Sequence, residues 1–225
     1  MVQQIENLFP MFVEILLEMN KRGGPGRIVI AEIGSAKNAG LSGKNIGQIA
    51  ELWQCVPEIA VMRLLLEEKA AVGAVYFSLS EEDVAAILSS DQVSVGSDGT
   101  GMKAEDDFGK STHPRSYGTF PRILGVYARE KGTLSLAKAI HKMTGLPAAR
   151  LGLENRGLIK PGFTADLVLF DPLTIQDRST FDHPHQYAIG VVYSWVNGCP
   201  IVREGIITGN TPGRVLRKRG ASSRS

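Results

Sequence analysis

The sequence predicts an α/β protein. Up to Gly99, helical and strand-like apolar patterns take turns along the chain, the signature of strands joined by helical crossovers. After Leu153 the texture changes to short apolar runs separated by turn residues, which marks a β-rich end. At 225 residues, 43% hydrophobic and 21% charged, the chain has the balance of a folded protein with room for a sizeable core.

In the opening segment Phe12, Ile15, Leu16 and Met19 fall on one helical stripe. Gly23-Gly24-Pro25 stops that helix. Arg27 to Ile33 reads as a short buried strand, followed by a glycine-bearing loop from Gly34 to Gly43. Ile46, Ile49, Ala50 and Trp53 form a second helical stripe. Pro57 suits the first turn of a third helix carrying Ile59, Met62, Leu65 and Leu66. Ala74 to Leu79 is a strand candidate, and Ser80-Glu81-Glu82-Asp83 resembles a capping box opening a helix through Leu88. Val93-Ser94-Val95 predicts a very short strand ending in Gly96-Ser97-Asp98-Gly99. This alternation argues for parallel strands.

A loop of about twenty residues is expected from Asp98 to Thr119, a length that is uncommon unless functional or mobile. Helices follow near Phe120–Glu130 and Leu134–Met143, with a short one from Pro147. Leu167 to Phe170 is a buried-strand run closed by Asp171-Pro172. Ile189–Val196 and Cys199–Arg203 flank Asn197-Gly198, a strong hairpin signal because both turn residues need positive φ.

The net charge of +2 excludes a field strong enough to argue for nucleic acid binding. The basic tail, Arg214, Arg217, Lys218, Arg219 and Arg224, reads as a solvated terminus. Cys55 and Cys199 form neither a CxxC pair nor a disulfide framework, so a reducing cytoplasm is the expected setting. The apolar N-terminus is interrupted by Glu6, Glu14 and Glu18 and lacks a basic n-region. It reads as neither a signal peptide nor a membrane span.

Asp98 is the leading candidate for chemistry, because α/β folds place reactive groups at the C-terminal ends of strands. Gly96 and Gly99 on either side let backbone approach closely. A carboxylate there can move a proton between a water and a leaving group; the structural alternative is an Asx turn or helix cap. Arg115, in His113-Pro114-Arg115-Ser116-Tyr117-Gly118, carries a planar guanidinium suited to a substrate carboxylate. His113 beside it joins the substrate-binding candidates, as a group that can orient a partner or titrate near neutrality.

His183-Pro184-His185 has the form of a metal pair but no third ligand nearby in sequence, and it reads as a loop feature. Gly40 to Lys44 lacks the first glycine and the Ser or Thr of a phosphate loop. Glu105-Asp106-Asp107 reads as a solvated face.

A family resemblance rests on longer stretches. Gly96-Ser97-Asp98-Gly99 followed by His113 through Arg122 resembles the N-acyl-D-amino-acid deacylases, or D-aminoacylases, of the metal-dependent amidohydrolase superfamily. Met143 through Ala148, Arg156 through Gly162, Ala165 through Pro172, Val196-Asn197-Gly198 and Gly209 through Leu216 continue it. The resemblance implies the C-terminal part of a (β/α)8 barrel in residues 1–152. Residues 153–225 would then form part of a small β-sandwich with the basic tail. It implies zinc, Asp98 as the aspartate that activates the hydrolytic water and protonates the amine, and Arg115 as the holder of the substrate α-carboxylate.

The departure from that pattern is large. The family's metal ligands have no match here, and Cys55, His183 and His185 do not fill their places, so zinc is expected to be held outside this chain. Three strand candidates cannot close a barrel. The chain alone is therefore expected to be inactive and to need a complementing chain or to self-associate. A non-catalytic relative serving as an interaction module, and a cyclic-amide hydrolase of the dihydroorotase or hydantoinase kind, are the competing readings. Arg115 favours the acyl-amino-acid substrate.

Overall fold

The computed structural model describes residues 2–101, 112–181 and 183–216, with side chains described from residue 9 onward. Two sequence features, Glu105-Asp106-Asp107 and the basic run beyond residue 216, lie outside the described residues. The chain forms two compact units. The first holds the described residues up to Ser80, with Thr112. The second holds Glu81 to Gly101 and His113 to Leu216.

In the first unit, α1 (Val2–Lys21) carries Met19 into the core and ends at Gly23 and Gly24, whose φ values of 86° and 94° no side-chain-bearing residue adopts easily. Strand β1 (Ile28–Ile33) supplies buried Ile28 and Ile30. Helix α2 (Ile46–Leu52) opens with a full capping box, in which Asn45 accepts from the Gln48 N–H and Gln48 accepts from the Asn45 N–H. Helix α3 (Pro57–Glu67) begins with proline at its first position. Met19, Ile28, Ile30, Leu41, Ile46, Ile49, Ala60 and Leu64 close one core.

Strand β2 (Val72–Tyr76) pairs with β1 antiparallel, with a bulge between Ile30 and Glu32. The parallel arrangement expected from the alternation is therefore corrected. A single crossover helix returns the chain to the start of the first strand. Here two helices intervene, so the chain comes back where β1 ended: Val72 sits opposite Ile33 and Tyr76 opposite Ile28.

A carboxylate pair at the end of α3 fixes the loop after β1. Glu68 is buried and accepts from the Ser35 hydroxyl (2.5 Å), the Ser35 N–H (3.0 Å) and Asn38 (2.7 Å). Glu67 accepts from Asn38 (2.9 Å) and pairs with Lys37 and Arg63, each at 2.9 Å.

The second unit is helices followed by one sheet. Helix α4 (Glu81–Ser89) starts directly after Ser80, as the capping pattern suggested. Val93 to Val95 belongs to no sheet among the described residues, so the third expected strand is corrected too. Its pairing groups are met by side chains and one backbone bond from a helix, described below. Helix α5 (Arg115–Arg122) continues without a break into a π-helix (Ile123–Glu130). Pro121 lies inside this helix and donates no backbone hydrogen bond, which loosens the ladder where the π register begins. Helices α6 (Leu136–Met143) and α7 (Gly145–Leu151) follow, the first capped by the Ser135 side chain, the second ended by Gly152 at φ 69°.

The sheet runs β3 (Leu167–Phe170), β4 (Val191–Val196), β5 (Cys199–Arg203) and β6 (Ile206–Ile207), each antiparallel to the next. Asn197 (φ 51°) and Gly198 (φ 78°) make the expected hairpin turn, and Glu204 and Gly205 make a second of the same kind. Leu88, Ile123, Leu124, Tyr127, Leu134, Ala139 and Ile175 form the core, with Phe170 and Val191 packed on it. A cavity of about 710 Å³, lined mostly by apolar groups such as Leu124, Ile140, Met143, Leu167 and Val191, opens beside that core.

The Glu67 carboxyl is held down to about 2 by Asn38, Lys37 and Arg63, and that of Glu68 lies below its ordinary 4.5 through Ser35 and Asn38. A depressed folded-state value stabilises the fold above the unfolded value, and this contribution is lost as pH falls from about 4.5 toward about 2. Urea unfolding of the first unit, followed by Trp53 fluorescence in a Trp195→Phe background, should therefore weaken between pH 6 and pH 3. In Glu67→Gln/Glu68→Gln the midpoint should start lower and fall less; equal falls would exclude the pair as the cause.

Candidate active site

The site lies within the second unit, where two backbone segments meet without side chains between them. Gly99 sits on the first turn of α5: a Cβ there would lie 2.9 Å from Ser116 Cα and 3.3 Å from the Arg115 carbonyl oxygen. Gly96, by contrast, faces open space, so only one of the two flanking glycines serves a close approach. The Ser116 hydroxyl accepts from the Thr100 N–H at 3.3 Å, and the Ser97 hydroxyl from the Gly99 N–H at 3.2 Å. Between these fixings Asp98 takes a left-handed conformation (φ 49°), which aspartate tolerates better than most residues.

This contact brings the sequence candidates together. Arg115 Nη2 lies 3.1 Å from Asp98 Oδ2, with both side chains substantially exposed. Helix α5 starts at Arg115 rather than near Phe120, and residues 102–111 of the expected loop lie outside the described residues. Pro114 supplies the helical φ that starts it, and Arg115 is thus held on a helix end. His113 is part-buried, and its Nδ1 accepts the Arg115 backbone N–H at 3.1 Å. In the neutral ring that acceptor role puts the proton on Nε2. Burial first, and then the Arg115 charge, pull the imidazole below its ordinary 6.5, while Asp98 opposes them. Both of the lowering effects favour the neutral imidazole.

Asp177 to Phe181 and His183 to Tyr187 form the other wall. Its docking requires Gly118, where a Cβ would fall 2.2 Å from Asp177 Oδ1. Phe181 meets His113 edge-on at 5.1 Å. Tyr117 Oη is 3.2 Å from His185 Nδ1, and its ring meets those of His185 and Tyr187 edge-on at 5.6 Å and 5.7 Å. Sequence reasoning missed this wall. The sequence places His185 only in a loop feature, His183-Pro184-His185, and no local pattern ties it to Tyr117, its partner across a long stretch of chain. His183 differs from it, lying exposed with its backbone N–H bonded to Thr180 Oγ1. Among the described residues, no group of three or more His, Cys, Asp and Glu side chains converges as a metal site.

An aspartate at a tight turn, paired with an arginine on a helix end beside a neutral histidine, suits a hydrolase that recognises an anionic substrate. Residues 48–202, more than half the chain, match the amidohydrolase family. The chain belongs to that family, on its D-aminoacylase branch. It is 41% identical over 186 residues to the D-aminoacylase of Alcaligenes xylosoxydans xylosoxydans, a match covering 80% of this chain and 35% of that protein. A D-aminoacylase crystal structure superposes with a TM-score of 0.74 at 39% identity, over 86% of this chain and 38% of that one. The N-acyl-D-glutamate deacylase of Bordetella bronchiseptica, solved with zinc and a phosphonate mimic of the tetrahedral intermediate, gives 0.68 at 35% identity, over 81% and 36%. The chain thus spans about a third of the length of these relatives.

The two glycines beside Asp98 predict opposite results. Gly99→Ala must push α5 away from the turn and should destabilise the second unit by about 1–3 kcal/mol, the usual range for overpacking. Gly96→Ala, in open space, should stay within about 0.5 kcal/mol of the parent. Urea unfolding followed by Trp195 fluorescence measures both, and equal losses would contradict the close approach.

Proposed function

We propose that this chain is part of an N-acyl-D-amino-acid deacylase, which hydrolyses the amide bond to a carboxylate and a free D-amino acid. The observation that carries this reading is the Asp98–Arg115 pair, 3.1 Å apart at the turn where Gly99 meets α5. Asp98 takes a proton from the attacking water and returns it to the departing amine. The Arg115 guanidinium has five N–H donors, so contact with Asp98 through one nitrogen leaves an edge for the substrate α-carboxylate. His113, neutral with its proton on Nε2, donates to the same anion.

In the intact protein, residues 1–152 would contribute the C-terminal portion of a (β/α)8 barrel, and 153–225 a share of a small β-sandwich whose described sheet is β3–β6. The relatives' greater length supports that reading. Zinc belongs to the proposal through the zinc complex of the Bordetella relative. The described residues do not form a site that fits it, so its ligands would come from outside them. No described helix is long and apolar enough to cross a membrane. The free thiols Cys55 and Cys199 support a reducing, cytoplasmic setting. The partners would be the small N-acyl-D-amino acid and either a complementing chain or further copies of this one.

The test is hydrolysis of N-acetyl-D-amino acids with added zinc, by this chain alone and joined to a ligand-bearing upstream portion from a relative. Activity is expected from the joined protein, with Asp98→Asn lowering kcat by about 10²–10⁴. Arg115→Met should chiefly raise KM, by roughly 10- to 100-fold for the loss of a charge-assisted contact. A joined protein that cleaves only cyclic amides, or nothing, would sink the reading. Asp98-dependent activity in the chain alone would refute the placement of the metal ligands outside it.

A further inference from the structure

The segment from Ser89 to Val95 leads from α4 to Asp98, and its carbonyls are held by cations from two helices instead of a strand. Lys138 donates to Ser89 O at 2.9 Å and pairs with Asp91 at 2.5 Å. Lys142 donates to Val93 O at 2.7 Å and also to Ser90 O. The Arg150 guanidinium donates to Gln92 O. One backbone bond joins them, from the Val95 N–H to the carbonyl of Lys142 at 3.0 Å. Lys142 differs from the other two in burial: it is 1% exposed and among the largest fully buried side chains of the chain. Burial also draws its ammonium below the ordinary lysine range. A cation placed that deep without a carboxylate bonded to it is costly unless its protons are engaged, and here two carbonyls of one segment engage them.

We propose that Lys142 is a positioning residue for Asp98, its buried ammonium fixing the approach of the aspartate-bearing turn to Arg115. Asp98 lies between two anchors, Val95 on α6 and Gly99 on α5. The Gly99 anchor is backbone packing and is indifferent to the side chain at 142. The other depends on it: without the ammonium, the Val93 carbonyl loses its donor, Ser90 keeps only the Val93 N–H at 3.4 Å, and the approach to Val95 is free to shift. A displacement of about 1 Å at a proton-transferring group is enough to cost about a hundredfold in rate. This inference deepens the proposed function and rests on Asp98 being the proton carrier.

The experiment compares Lys142→Met, Lys142→Gln, Asp98→Asn and the core control Ile175→Val, each in the full chain. The readout is the side-chain ¹⁵N signal of Arg115, which reports its contact with Asp98. In folded Lys142→Met that signal should move most of the way to its position in Asp98→Asn, and in Lys142→Gln, which keeps a shorter donor, part of the way. Ile175→Val should leave it in place even where it lowers Tm, because general destabilisation does not move the pair. An Arg115 signal at its parent position in folded Lys142→Met overturns the proposal. If that variant does not fold, an unmoved signal in Lys142→Gln does the same. In the joined enzyme, Lys142→Met should lower kcat by about a hundredfold with KM within about twofold. Full hydrolysis by Asp98→Asn would bring down the reading of Asp98 itself, a failure separate from an unmoved Arg115 signal.

Discussion

The helix that runs unbroken from Arg115 to Glu130 is the constraint on which the second unit depends. Its first turn presents Arg115 and receives Gly99, while its later turns bury Ile123, Leu124 and Tyr127. Two glycines let other segments lie against its backbone. Gly118 admits Asp177, and Gly125 admits the Ile175 carbonyl at a spacing where a Cβ would stand 2.7 Å away. Arg129 then donates to that same carbonyl at 2.7 Å, and Ile175 fills the core beneath. Site and core are therefore carried by one continuous helix, the pair at its first turn and the buried side chains on its later ones.

A second fixed point explains why so many motif residues in the β-rich end are polar. Arg156 binds Asp166 and Asn197 together, and the Asn197 N–H donates to Asp166 at 2.8 Å. The Asn197 side chain donates to the Pro212 carbonyl at 2.7 Å, and the Gly198 N–H to the Ala165 carbonyl at 2.9 Å. Four sequence stretches that carry the family resemblance are thus tied by one hydrogen-bonded knot around a hairpin turn. Their shared pattern is a matter of architecture. In the proposed function the chemistry falls instead to Asp98 and Arg115, paired across a solvent-open turn, with His113 bonded to the Arg115 backbone.

Local signals in the sequence were sound wherever the cause was itself local. Gly23-Gly24, Pro57 and Asn197-Gly198 each impose a backbone conformation on their immediate neighbours, and each ends, starts or turns an element as its chemistry requires. Failures arose where the deciding partner is distant. The direction of β2 depends on the two helices between it and β1, not on its own residues. The run at Val93 has a strand's composition, but its Val93 carbonyl and Val95 N–H are bonded to Lys142 on α6 instead of to a neighbouring strand. Lys142 looks like any solvated lysine on an amphipathic helix, and only the packed structure shows it buried. Asp98 and Arg115 were legible as candidates through their motif, whereas His185 was not, because its partner Tyr117 is remote in sequence.

The exposure of the pair bears on what the chain can do. Asp98 keeps 84% of its side-chain surface in solvent, and Arg115 45%. An ion pair so open to water is weakly coupled and heavily screened. Proton transfer to a leaving amine and recognition of a carboxylate both gain strength as water is excluded, since the same charges then interact through a lower dielectric. The wall of Phe181, His185 and Tyr187 removes solvent from one side only, shielding His113 and Tyr117 while leaving Asp98 open. The geometry of the site is therefore set within this unit by glycine contacts and a buried lysine. Its electrostatic strength is set by solvent, and any surface that excluded water from Asp98 would raise it.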